Sequence, residues 1–177
     1  MKHHDEFRAE PGIYFLCNDQ GLVLYVGKAN NLRARLAKHE ADHDVVRSWI
    51  SFFDEHFERL NIRIRKAAQR RDATSFDTIS RLIARPLAII GSKQAIDCCY
   101  DAVDSIKSDR CLPGELDLEE FKHIRSLKPP FNYQYNGEVA DSDRWKYFPA
   151  KYIKSKALSN LVSHYTRRFA MQTLGEN

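Results

Sequence analysis

Strand-forming residues occur in two short runs within residues 11–27. Residues 13–17 and 22–26 are rich in aromatic and branched aliphatic side chains, and a polar tetrapeptide with turn chemistry separates them. This pattern predicts a β-hairpin. If the four polar residues form its loop, Tyr14 lies directly opposite Tyr25, and the two tyrosines share one face of the sheet.

The spacing of apolar residues then changes from that of a strand to that of a helix. Two leucines four residues apart supply the core stripe of a helix predicted over residues 31–40, with Asn30 or Asn31 as its N-cap. Asn31, Arg35 and His39 share a neighbouring stripe at the same spacing. We therefore expect an arginine and a histidine beside the end of the hairpin.

The central region, from about residue 44 to residue 110, leaves the third strand of the sheet undecided. Residues 61–66 alternate between apolar and polar, and residues 85–91 form an apolar run, so both are candidates. Helical spacing also predicts one helix that stops before Pro86 and another over about residues 96–106.

A later helix is predicted from Leu116 to Leu127, because the two prolines at positions 129 and 130 would prevent its continuation. Glu120 falls on its apolar stripe, whereas Glu119 falls towards the other side. Because unpaired buried charge is costly, this position singles out Glu120 as a functional carboxylate. The alternative is that Glu120 merely closes a capping box with Asp117.

Composition indicates a soluble globular protein, with 43% hydrophobic and 29% charged residues and a net charge of +4. No window resembles a membrane span, and no apolar run follows the N-terminus, so a cytoplasmic protein without membrane contact is expected. The four cysteines lack zinc-site spacing and are expected to be buried reduced thiols. Basic and aromatic side chains are concentrated in residues 144–169, which contain seven Lys or Arg and no Asp or Glu.

Several short motifs, taken in order along the chain, resemble those of the GIY-YIG nuclease family. They are GIY at residues 12–14, YVG at 25–27 followed by Lys28, NLRAR at 31–35, Glu120, and KPPFN at 128–132. One tripeptide alone would be weak evidence, but the ordered set is specific. Residues 11–36 especially resemble the N-terminal incision nuclease of bacterial excision repair.

The resemblance implies an α/β fold with a small, mainly antiparallel sheet flanked by helices. We predict a GIY-YIG nuclease domain over residues 1–133, with a helical insertion at about 44–110. A basic, aromatic C-terminal extension is predicted over residues 134–177.

The resemblance also implies a role for each matching residue. Tyr25 is the expected general base or water-orienting group, with Tyr14 as its partner, and Arg35 is expected to clamp the scissile phosphate. Glu120 is expected to bind one Mg²⁺ or Mn²⁺ ion. One carboxylate suffices for one such ion, because Mg²⁺ keeps several of its waters.

Three further residues complete the implied site. Lys28 is expected near the phosphate, and Asn132 is expected to orient the tyrosines or the backbone near the metal. His39 matches a histidine that contacts the catalytic water or a tyrosine in some branches of the family. From charge alone, we also hypothesise that Lys28 and Arg35 lower the pKa of Tyr25.

The implied function is metal-dependent hydrolysis of DNA phosphodiester bonds. A stand-alone, repair-type or structure-specific nuclease is favoured. A sequence-specific restriction-type or mobile-element nuclease, homodimeric if it cuts both strands, is the alternative, and an inactive nucleic-acid-binding module is a lesser one. The residues predicted to contact DNA are Arg63, Arg65, Lys66, Arg144, Lys146, Lys151 and Lys154. Solvated charge, or a tail helix packed on the core with its lysines in water, is the competing interpretation of these residues.

Overall fold

The computed structural model describes residues 3–135 and 146–174. The chain forms two compact units. The first, which we call the sheet unit, lies within Met1–Val45 and Gln94–Phe148, and the second, the helical unit, lies within Val46–Lys93 and Pro149–Asn177. The predicted domain boundary between residues 133 and 134 stays a prediction.

The sheet unit contains a three-stranded antiparallel sheet. Its strands are β1 (Gly12–Cys17), β2 (Val23–Ala29) and β3 (Ser105–Arg110), in the order β2-β1-β3. The helices of the chain are α1 (Leu32–Gln69), α2 (Ala73–Gly91), α3 (Ala95–Cys98), α4 (Leu116–Leu127) and α5 (Ala150–Leu174). The predicted fold class, a small antiparallel sheet with flanking helices, is confirmed.

The hairpin forms as predicted, but its register differs by two residues from the expected one. Tyr14 lies opposite Gly27, and Leu16 rather than Tyr14 lies opposite Tyr25. An irregularity between Leu16 and Cys17 accompanies the shift. Because side chains alternate with a period of two, a two-residue shift keeps both tyrosines on the same face.

Both candidates for the third strand were wrong. Residues 61–66 lie inside α1, and residues 85–91 lie inside α2. The strand is Ser105–Arg110, a polar edge strand with four exposed residues, which has no apolar run to reveal it. Tertiary pairing with β1 determines this strand more than its own composition does.

Helix α2 also continues past Pro86, where the sequence predicted an end. A proline inside a helix removes one backbone hydrogen bond and crowds the preceding turn. Pro86 is buried, and it continues the apolar stripe of Ile79, Ile83 and Ile90. Burial of the ring on this stripe offsets part of the cost, so the helix ends only at the cap residue Ser92.

In the helical unit, α5 packs against α2 through buried apolar residues. Leu158 is fully buried, and the rings of Phe76 and Tyr165 lie 6.3 Å apart between centroids. Within the described part of the chain, no helix combines the length and apolar character needed to cross a membrane.

The two faces of the sheet have different partners. Ile13, Phe15 and Val26 form one cluster with Leu116 and Ile124 of α4. Tyr14 and Tyr25 point to the opposite face, towards the first turns of α1. The candidate site therefore lies at the β2 edge, where residues from both faces can be brought together.

Candidate active site

Two motif glycines make room for other parts of the site. A Cβ added at Gly27 would overlap the Cζ and hydroxyl of Tyr14 and lie 2.8 Å from its Cε1. A Cβ added at Gly12 would lie 2.6 Å from the Asp109 carbonyl oxygen of β3. The glycine of the second motif thus makes space for the tyrosine of the first, and the glycine of the first allows β3 to approach.

The start of α1 places the catalytic candidates against this tyrosine. The Asn31 side chain accepts a hydrogen bond of 2.9 Å from the backbone N–H of Ala34, which identifies Asn31 as the N-cap. Arg35 and His39 follow one and two turns later on the same face. The predicted placement of an arginine and a histidine beside the hairpin is confirmed.

His39 connects Tyr14 to a carboxylate that the sequence did not single out. Its Nδ1 lies 2.5 Å from Oδ1 of Asp97, and its Nε2 lies 2.8 Å from the Tyr14 hydroxyl. A carboxylate can only accept, so Nδ1 carries the proton and Nε2 accepts from the Tyr14 O–H. Tyr14, His39 and Asp97 are all almost fully buried.

Arg35 is oriented by neutral partners. Its Nε donates to the Tyr14 hydroxyl at 3.1 Å, and one terminal nitrogen donates to the Gln94 side-chain oxygen at 3.2 Å. Neither contact neutralises the guanidinium. Its positive charge is therefore held in place beside both tyrosines, as a clamp for an anionic phosphate requires.

The two tyrosines are harder to ionise than free tyrosine. Burial raises the pKa of Tyr14 and of Tyr25, and the opposing effect of Arg35 is smaller in both. Arg35 acts in the hypothesised direction, but burial outweighs it, so the hypothesis that the pKa of Tyr25 is lowered overall was wrong. Lys28 lies three positions after Tyr25 along β2, so the two side chains start from opposite faces of the strand.

Lys28 instead pairs with two acidic residues of α4. Its ammonium lies 2.8 Å from Glu120 and also pairs with Asp117. Hydrogen bonds to Asp117 and then to Glu120 raise the pKa of Lys28. The capping-box alternative for Glu120 is wrong, because the N-cap of α4 is Glu115 and Asp117 lies within the helix.

The donor set around Glu120 fits a hard divalent cation. The Glu120 side chain is only 14% exposed, and Glu120 and Asp117 both contact the ammonium group of Lys28. The charge of Glu120 also acts on Tyr25. Among the described residues, no cluster of three or more His, Cys, Asp or Glu could form an all-protein cage. An ion held here would keep several waters, as Mg²⁺ prefers.

Asn132 braces the strand that carries Tyr25. Its side-chain oxygen accepts from the N–H of Val26 at 2.8 Å, and its amide group donates to the Val26 carbonyl at 2.7 Å. The backbone N–H of Phe131 donates to the Leu24 carbonyl at 3.0 Å. Asn132 thus satisfies both backbone groups of the residue after Tyr25, and its contribution to catalysis stays a prediction.

The residues predicted to contact DNA have varied surroundings. On α1, Arg63, Arg65 and Lys66 are exposed. In the helical unit, Lys151 and Lys154 pair with Asp54 at 3.8 and 2.6 Å. Lys146 lies over the ring of Tyr147, and Arg144 lies outside the described residues. Contact of these residues with DNA stays a prediction.

Sequence reasoning missed the contribution of the segment around α3. Gln94 and Asp97 form a capping box at the start of a short helix, but Gln-x-x-Asp is not the residue pattern that usually signals one. Asp97 is also 58 residues from His39, and nothing local indicates that the two side chains meet.

Residues 10–73 match the family model of the UvrC-like GIY-YIG domain. The GIY-YIG resemblance is thereby confirmed. The matched segment includes both tyrosines, Arg35 and His39, whereas Glu120 and Asn132 lie beyond it, so their assignment depends on the motifs and on geometry.

Three curated relatives each match part of the chain, and each is named UvrABC system protein C. The protein from Cyanothece sp. is 38% identical over 64 residues, which cover 36% of this chain and 9% of the relative. The protein from Anaeromyxobacter sp. is 40% identical over 52 residues, which cover 29% of this chain and 7% of the relative. The protein from Methanosphaera stadtmanae is 38% identical over 58 residues, which cover 32% of this chain and 10% of the relative. The chain thus spans a tenth or less of the length of these relatives. No solved structure matches it significantly.

Proposed function

We propose that this chain is a DNA endonuclease that hydrolyses phosphodiester bonds. The observation that carries the proposal is the arrangement of Arg35 and His39 around Tyr14 and Tyr25. The charge of Glu120 also raises the pKa of Tyr25. Hydrolysis of a phosphodiester must stabilise added negative charge and remove a proton from water, and this set offers groups for both tasks.

Arg35 would bind the scissile phosphate through its planar fork of donors. A divalent ion at Glu120, with Asp117 as a second oxygen donor, would supply electrostatic stabilisation of the phosphorane-like transition state. Lys28, which now bridges the two carboxylates, would be available to the phosphate when they bind a metal ion. These assignments follow the ligand chemistry of the residues in contact.

Proton removal would proceed through the buried hydroxyls. Tyr25 is 9% exposed and Tyr14 is fully buried, so Tyr25 is the outer group and contacts the attacking water. As the water oxygen bonds to phosphorus, its proton passes to Tyr25, whose own proton passes to Tyr14, and that of Tyr14 passes to His39 Nε2. Each hydroxyl gains one proton and loses one, so neither tyrosine has to exist as a stable phenolate despite its raised pKa. The buried imidazolium then returns its proton through Tyr14 and Tyr25 to solvent, and the leaving oxygen takes up a proton from solvent.

The proposed biological class is a repair-type or structure-specific nuclease that uses one Mg²⁺ or Mn²⁺ ion. Its support is the match of residues 10–73 to the UvrC-like GIY-YIG domain, together with the similarity of part of the chain to proteins named UvrABC system protein C. A sequence-specific nuclease that acts as a homodimer would carry the same chemistry, so substrate preference separates the two classes.

The test is cleavage of a set of end-labelled DNAs with Mg²⁺, Mn²⁺ or EDTA. The set contains plain duplex, a nicked or gapped duplex, a branched junction and supercoiled plasmid. Metal-dependent cutting that favours the distorted DNAs supports the proposal, and discrete bands from plain plasmid would indicate sequence-specific cutting instead. Binding without product under every condition would contradict nuclease function.

Arg35→Lys supplies a variant with a matched control. Lysine keeps the charge but loses the fork, so we expect the rate to fall by about 10²-fold, as for other displaced catalytic contacts. Arg33→Lys is the control, because Arg33 is exposed and its side chain donates to the Phe7 and Asp5 carbonyls, away from the tyrosines. Equal rates for both variants would remove Arg35 from the proposed site.

A further inference from the structure

Two ionisable side chains, His39 and Asp97, are buried together beside the tyrosines. They are 1% and 2% exposed, and their contact of 2.5 Å is among the shortest in the sheet unit. Burial of such a pair is costly and is weak evidence for stability alone, because an apolar pair of similar size often stabilises a core as well. Paired titratable groups in such a position are candidates for a functional role.

The carboxylate of Asp97 is itself held from both sides. Its Oδ2 accepts from the backbone N–H of Gln94 at 3.1 Å, while its Oδ1 accepts from His39. Its backbone carbonyl accepts from Nδ1 of His43 at 2.9 Å. The Tyr100 ring lies nearly parallel to the His39 imidazole, at an interplanar angle of 15°. The segment from Gln94 to Tyr100 therefore fixes both the position and the plane of the imidazole.

We propose that Asp97 is a positioning residue for the reaction. Asp97 holds His39 in the Nδ1–H tautomer, so that Nε2 can accept the Tyr14 proton. This inference rests on the proposed nuclease function for its catalytic consequence, but its structural part can be tested without activity. An Nε2–H imidazole would face the Tyr14 hydroxyl with a donor and could not accept the proton.

The substitution Asp97→Asn tests the proposal with almost no change in shape. An asparagine has only one acceptor oxygen, and the backbone N–H of Gln94 cannot change its role, so the oxygen turns towards Gln94. The NH₂ group then faces His39 Nδ1 and donates to it. The histidine can satisfy that donor only by moving its own proton to Nε2, which breaks the acceptor end of the relay.

Two readouts follow. In long-range ¹H–¹⁵N spectra, with the His39 signals assigned by His39→Gln, the wild type shows a protonated Nδ1 and Asp97→Asn shows a protonated Nε2. In cleavage assays, kcat of Asp97→Asn falls on the order of 10⁴-fold, as when Asp→Asn leaves the histidine of a Ser-His-Asp triad in the wrong tautomer, while KM is unchanged. If Asp97 were important only for the structure, its substitution would not change the tautomer of His39. It would also not lower kcat while leaving KM unchanged.

Asp101→Asn is the matched control. Asp101 lies 3.1 Å from His43 Nε2, its side chain is 59% exposed, and it follows Asp97 by four residues. We expect this variant to keep the wild-type tautomer of His39 and the wild-type kcat. A wild type with Nε2–H, or an Asp97→Asn enzyme with full kcat, overturns the proposal.

The two levels of inference fail in different ways. If the wild type cleaves no DNA, the proposed function fails, and the tautomer spectra of the wild type still decide whether Asp97 positions His39. If Asp97→Asn does not fold, as shown by circular dichroism, the wild-type spectra alone decide the positioning claim, and an Nε2–H imidazole there overturns it.

Discussion

Replacing Gly27 with alanine would test whether close packing against Tyr14 shapes the site. The added methyl would overlap the Cζ and hydroxyl of Tyr14 and lie 2.8 Å from Cε1. The ring has no open space to move into, because Tyr14 is fully buried and its hydroxyl is bonded to His39 at 2.8 Å and to Arg35 at 3.1 Å. The substitution therefore has to displace the ring, the strand or both.

The expected magnitude follows from this overlap. An extra methyl group in a well-packed core costs about 1–3 kcal/mol. For a chain of this size each kcal/mol lowers Tm by roughly 2–4 °C, so Tm should fall by about 2–12 °C. A displacement of about 1 Å at a catalytic group costs about 10²-fold in rate. We expect activity to be lost even at temperatures where the protein is still folded, because the clash falls on the hydroxyl that is proposed to relay the proton.

The assay compares melting curves and single-turnover cleavage rates for Gly27→Ala and for Gly114→Ala. An alanine at Gly114 would meet nothing within 4 Å, so this control should stay within about 0.5 kcal/mol of the wild type and keep its cleavage rate. A Gly27→Ala protein with wild-type Tm and rate would refute the argument that this glycine makes room for Tyr14.

Two further predictions concern stability. Asn132→Ala leaves the buried N–H and carbonyl of Val26 without their side-chain partners. Urea denaturation should therefore show that the free energy of unfolding falls by about 2–5 kcal/mol. A fall no larger than that of a surface substitution, about 0.5 kcal/mol, would contradict the bracing role. The Lys154 ammonium holds the pKa of Asp54 below its ordinary value of 3.8, so this pair stabilises the fold above about pH 4, and the stabilisation is lost as pH falls through the folded-state pKa. Between about pH 5 and about pH 3, Tm of the wild type should therefore fall more steeply than Tm of Asp54→Asn, and parallel curves would contradict the linkage.

The hairpin, the start of α1 and the helix α4 could be predicted because their signals are local. Turn residues, strand-forming runs, and the Asn31 cap all act within a few residues of the structure that they determine. The carboxylate Glu120 could be singled out because its place on the helix stripe conflicted with its charge. Alternation along β2 could also have excluded Lys28 as a neighbour of Tyr25, but the charge argument did not take it into account.

The third strand and Asp97 could not be found in the same way. β3 is polar and becomes a strand through its pairing with β1, more than 80 residues earlier in the chain. Asp97 reaches His39 only because the chain returns to the sheet unit at Gln94 after leaving it at Val45. Both depend on tertiary structure, which a single sequence does not display.

The central claim, that the site around Glu120 cleaves DNA with a divalent ion, is tested most directly by comparing Glu120→Gln with Glu119→Gln. The two residues are adjacent on α4, but Glu119 pairs with Lys122 at 2.6 Å on the surface, whereas Glu120 contacts Lys28 at the β2 edge. Mg²⁺-dependent cleavage should be abolished in Glu120→Gln and retained in Glu119→Gln, and EDTA should abolish it in the wild type. Cleavage that survives in Glu120→Gln, or that ignores EDTA, would contradict the assignment of this site.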